Sequence, residues 1–106
     1  MATNVVFPSK NQLATVLCSF DFLSMLAASE TLVSALVTVT LRTGSDPNPS
    51  AVLSGAASFA GKTVNQLVTG GVVGVIYVLT CSVVTSTGQD LIMNGELSII
   101  DDNPYQ

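Results

Sequence analysis

Apolar and polar residues alternate with a period of two over most of this chain, the spacing of half-buried β-strands. The longest such stretch covers residues 68–100. Gly70, Gly71 and Gly74 open it, where the backbone can turn freely. Residues 75–85 are then rich in β-branched and aromatic side chains (Val75, Ile76, Tyr77, Val78, Val83, Val84), which suit a pleated strand better than a helix. Ser86, Thr87 and Gly88 make a short turn, and residues 91–100 return from it. Leu91, Met93, Leu97 and Ile99 fall on one face of that return strand; Asn94, Glu96 and Ser98 fall on the other. The pattern predicts a long β-hairpin with one apolar side. A lone hairpin is not stable in water, so the remaining chain must cover it.

Earlier in the chain, Val16, Cys18, Phe20 and Phe22 alternate with Thr15, Leu17, Ser19 and Asp21, which predicts a strand. Residues 23–31 fit either a helical turn or an irregular crossover. Residues 33–42 read as a strand with Val33, Ala35, Val37, Val39 and Leu41 inward. The run GSDPNPS at 44–50 must be a rigid turn, because two closely spaced prolines cannot sit in a central strand. Residues 51–59 and 63–69 give two further strands around Gly61-Lys62. Val5-Val6-Phe7 is a short edge segment stopped by Pro8. Strands recurring at intervals of about 8–12 residues with turn signals between them predict an all-β, antiparallel β-sandwich of about seven strands. The expected organisation is an N-terminal arm at 1–12, a sandwich at 13–100 and a C-terminal tail at 101–106.

Composition sharpens this picture. Of 106 residues, 48% are hydrophobic and only 9% charged, against roughly a quarter charged in ordinary soluble domains. A chain this apolar is expected to hide surface against copies of itself or another protein. Three basic residues among a net charge of −4 cannot assemble the patch that nucleic acid requires, and they disfavour an anionic membrane surface too. The longest uncharged run, 63–89, carries four glycines and repeated Thr and Ser and reads as strands, not as a membrane helix. No targeting segment is read, because Asp21 interrupts the apolar region after Lys10.

Candidate chemistry is sparse. There is no histidine, the carboxylates are scattered, and no glycine cluster opens a helix in the manner of a phosphate loop. No enzyme, cofactor or metal site is expected. Asp46 with Asn48 falls short of a calcium loop. Cys18 and Cys81 lie on two strands that immunoglobulin domains bridge. They read either as such a bridge or, in a reducing cytosol, as two buried free thiols.

The succession SETLVSALVTVTLRTGSDPNPSA, LSG, VNQLVTGGVVG and VIYVLTCSVVTSTGQ resembles small immunoglobulin-like proteins encoded in tailed-phage structural gene clusters, over roughly residues 13–100. Its marks are Glu30-Thr31 before a Val/Thr strand, Gly70-Gly71 and Gly74 before Tyr77, and Thr85-Ser86 with Gly88. Val73, Val75 and Met93 depart from the usual pattern and make the last hairpin more apolar. The resemblance implies an immunoglobulin-like sandwich working as a virion protein, made in the host cytoplasm. It would be a non-enzymatic adaptor in the tail or neck that links fibres or neighbouring components, present in several copies or as a homo-oligomer. A capsid decoration protein and a secreted adhesion or carbohydrate-binding module are the alternatives. Because only one face of each sheet can be internal, the expected partner surface comprises Val5, Val6 and Phe7 with Ile76, Val78, Val84, Ile92 and Ile100.

Overall fold

The computed structural model of the chain describes residues 2–100. Eight strands make up most of it: β1 (Ala2–Val6), β2 (Lys10–Asn11), β3 (Thr15–Asp21), β4 (Leu32–Thr43), β5 (Leu53–Ala60), β6 (Thr63–Thr69), β7 (Ile76–Thr85) and β8 (Asp90–Ile100). They form two sheets. The larger runs β1-β8-β7-β4, with β2 also on β8, and the smaller runs β3-β6-β5. The all-β sandwich expected from the alternation is therefore the fold. Its ladders are antiparallel except at one edge, where β1 and β2 both pair parallel with β8. Residues 2–11, expected as an arm, supply those two strands. The tail at 101–106 lies outside the described residues.

The core lies between the sheets and follows the predicted parity. Cys18, Phe20 and Phe22 come from β3 and its end, Val64 and Val68 from β6. Facing them are Tyr77, Leu79, Cys81 and Val83 from β7 and Leu91, Met93, Leu97 and Ile99 from β8. Few of these are aromatic, so the sandwich is filled largely by aliphatic side chains.

Strand β4 departs from the predicted parity at its start. Its register on β7 shifts between Leu32 and Ser34, and again between Leu41 and Thr43. The first shift is a bulge that turns Leu32 inward and leaves Val33 exposed. From Ala35 the inward set is as expected, with Val37 buried and Ala35, Val39 and Leu41 packed against the core. The crossover after β3 contains a single 3-10 turn, Leu23–Met25, and a second, Pro49–Val52, precedes β5. β5 consequently starts at Leu53, two residues later than its small-residue composition suggests.

The connection from β6 to β7 turns through Gly70 and Gly71, at φ of 65° and 104°. At Gly71 a side chain is excluded twice over: the backbone is left-handed, and a Cβ would lie 2.8 Å from Ile99 Cγ1. Just beyond it, Tyr77 Oη accepts the Val72 N–H at 2.9 Å. The phenol of a buried core residue thus pins the corner that delivers the chain into β7.

Candidate functional site

The outward face of the β8-β7-β4 layer carries five of the eight residues expected to meet a partner, or lies beside them. Cross-strand register sets them in rows. Leu36, Ser82 and Ile92 form one row; Thr38, Thr80 and Asn94 the next; Thr40, Val78 and Glu96 a third. Ile92 is 40% exposed, Val84 37% and Leu36 63%. These three make an apolar end to the face. Thr80 Oγ1 donates to Asn94 Oδ1 at 2.9 Å and makes the middle row polar.

Beyond that row the face becomes charged. Arg42 Nε lies 3.3 Å from Glu96 Oε1 in an exposed ion pair, the kind that contributes about 0–1 kcal/mol to stability. Arg42, Val78, Asn94 and Glu96 line a shallow concavity of about 160 Å³. Val78 and Ile76 are therefore half-buried among polar neighbours, and Ile100 is half-buried opposite Asn11. The expected aliphatic surface is divided, with its open part at Val84 and Ile92.

The N-terminal trio also divides. Val6 pairs with Glu96 at the sheet edge and is 78% exposed. Val5 and Phe7 pack against the core. The Phe7 ring meets Phe20 edge-on, with centroids 5.3 Å apart, and sits over Gly95, where any Cβ would collide with it. The short edge segment before Pro8 gave no sign of this, because the slot exists only where β8 presents a glycine.

Lys10, Gln66 and Glu30 are buried polar residues that were not legible as such. Lys10 is 1% exposed, and its ammonium donates to the carbonyls of Asn11, Gln12 and Gly70, the last at 2.7 Å. Burial lowers its pKa. Gln66 donates to the carbonyls of Gly55 and Leu67. Glu30, also 1% exposed, accepts hydrogen bonds from Thr85, Thr87, Gln89 and the Ala27 N–H. The bonds from Thr85 and Thr87, then that from Ala27, hold its carboxyl down at about 2. Such an anion is a fixed acceptor and a poor proton acceptor at neutral pH. Its role is to tie the β3–β4 crossover to the β7–β8 turn.

Asp46 likewise serves the fold. Its Oδ1 accepts the Asn48 N–H at 2.9 Å, an Asx turn, and its Oδ2 accepts the Tyr77 hydroxyl. Cys18 and Cys81 are free and buried, and burial pushes their thiols up to about 11 and about 12. Protonated, enclosed thiols are poor nucleophiles. Among the described residues, no group of three or more His, Cys, Asp or Glu is placed to hold a metal ion, and no helix is long and apolar enough to cross a membrane. What remains is a surface: one exposed apolar end, a polar stripe and an ion-paired concavity on a single sheet face.

Two comparisons with known proteins bear on the chain as a whole. A family model described as podophage GP4 fiber-tail adaptor protein gp77 matches residues 10–97. No curated protein matches the chain.

Proposed function

The chain belongs to the podophage fibre-tail adaptor family gp77, and from that premise we propose that it is a non-enzymatic virion protein that joins fibres or neighbouring components to the tail or neck. The family match over residues 10–97 carries this reading. Its partners are other virion proteins, it is present in multiple copies, and it is made in the host cytoplasm.

The architecture suits the task. The strand orders β3-β6-β5 and β8-β7-β4 correspond to the B-E-D and G-F-C layers of an immunoglobulin-like sandwich. Tyr77, whose hydroxyl bonds back to Val72 at the corner before β7, occupies the place of a tyrosine corner. Both support the immunoglobulin-like assignment. Such a frame holds one sheet face rigid and leaves its outward side free for docking. We assign the fibre or tail contact to the face bearing Ile76, Val78, Val84, Ile92 and Ile100, with Val5, Val6 and Phe7 at its β1 margin. Phe7 and Val5 act there by fixing β1, and Val6 by contact. Covering about 800 Å² on this side would suffice for a specific interface.

Particles assembled without the chain test the reading. They should contain filled heads and tails but lack bound fibres, and supplying the protein in trans should restore fibres. Fully fibred particles in its absence would refute the adaptor role.

A further inference from the structure

We propose that β4 is a self-association edge, where the 34–41 segment of one copy pairs antiparallel with that of a second copy, residues of like parity opposite one another, and joins two large sheets into one. Among the described residues, strand β4 closes the larger sheet and pairs with β7 alone. Among the described residues no main-chain hydrogen bond other than the β7 ladder reaches residues 33–43, although β5 and the Pro49–Val52 turn run beside the strand. It is also the longest strand, at 12 residues. An edge of that length leaves a row of unpaired N–H and C=O groups, which template pairing unless something blunts them.

The other edges are blunted. β5 carries a register shift between Ser54 and Ser58, with Gly55 at φ 75°. The edge formed by β1 and β2 is broken between Val6 and Lys10, at Pro8. β3 ends in Asp21 and has Phe7, Pro8 and Ser9 facing it across a cavity of about 150 Å³. Between its two register shifts β4 carries no bulge, glycine, proline or charge. Those shifts fall at Leu32/Ser34 and Leu41/Thr43 and bracket a regular eight-residue ladder.

Side-chain pattern selects a second copy as the occupant. A two-fold interface must be complementary to itself. Residues 34–41 are Ser, Ala, Leu, Val, Thr, Val, Thr and Leu, without a charge. Antiparallel self-pairing sets β-branched and aliphatic residues opposite one another, which are favourable cross-strand pairs. The strand's one charge, Arg42, is engaged by Glu96, and a two-fold axis places its two copies at opposite ends of the ladder. Leu36, largely exposed on the outward face, lies beside the new seam.

The test uses the full chain, with two charged variants of exposed β4 positions, L36K/T38K and L36E/T38E. Sedimentation velocity and native mass spectrometry should show a wild-type dimer. Each variant alone should raise the dimer Kd at least about tenfold through like charges across the seam. An equimolar mixture of the two should recover the dimer. Hydrogen exchange of the wild type should show amide protection within 34–41 that rises with protein concentration. A monomeric wild type, variants that dimerise normally, a mixture that stays monomeric, or concentration-independent exchange at β4 would each overturn the proposal.

Discussion

Tyr77 Oη donates to Asp46 Oδ2 at 2.6 Å, joining the centre of the core to the proline turn at the far end of β4. The same oxygen accepts the Val72 N–H, so one phenol fixes two connections, β4–β5 and β6–β7. The carboxylate bond holds the Asp46 pKa below its usual range, while burial pushes that of Tyr77 up. Asp46 therefore stays ionised and Tyr77 protonated across the neutral range, and the bond persists.

Tyr77→Phe should cost about 1–3 kcal/mol, because it removes a bond to a charged acceptor and strands the Val72 N–H. Tyr77→Ala should cost about 3–5 kcal/mol, since it adds the loss of a fully buried ring. Urea midpoints of both variants against wild type measure the difference. A Tyr77→Phe midpoint equal to that of wild type would mean that the hydroxyl contributes nothing.

Acid should unfold the protein partly through Glu30. Its folded pKa of about 2 lies below the ordinary 4.5. Stabilisation by ionised Glu30 is then fully present above pH 4.5 and is lost as pH falls toward 2. Glu30→Gln should be less stable than wild type at pH 7 and show a flatter stability profile over that acid window. Parallel profiles for the two proteins would contradict the assignment.

Gly95→Ala should destabilise the domain by about 1–3 kcal/mol through overpacking against Phe7. With Phe7→Ala already in place the ring is gone, and the same substitution should cost far less. A double-mutant cycle in denaturant measures the coupling. Additive costs would show that Phe7 does not occupy the slot over Gly95.

Both thiols should resist alkylation in the native protein and react rapidly once it is unfolded. Their burial, and protonation up to about 11 for Cys18 and about 12 for Cys81, require this. Intact mass without reductant should show two free cysteines. A mass lower by two hydrogens would show a bridge between β3 and β7 instead.

Much of this fold was legible in the alternation alone. Phe20 and Phe22, Leu91 and Met93, and Leu97 and Ile99 all face the core as their parity requires, because a sheet side chain has only two directions available. Val33 escaped because a bulge resets parity without changing composition. Lys10 and Glu30 escaped for a different reason. Each is buried by partners distant in sequence: Gly70 for Lys10, and Thr85, Thr87 and Gln89 for Glu30. For the candidate surface, parity identified the outward face correctly at Val84 and Ile92. It could not show that Val78 shares a concavity with Arg42, Asn94 and Glu96, or that Phe7 turns inward, since both depend on cross-strand register.

The docking role of the outward face is tested most directly by complementation with Val84→Asp/Ile92→Asp, two exposed positions whose change should leave the core intact. The purified variant should keep the wild-type circular dichroism spectrum. Virions assembled with it should lack the chain, or carry it without fibres, when their composition is analysed. Virions with the wild-type complement of both chain and fibres would contradict the account, because the apolar end of the β8-β7-β4 face would then not be where the partner binds.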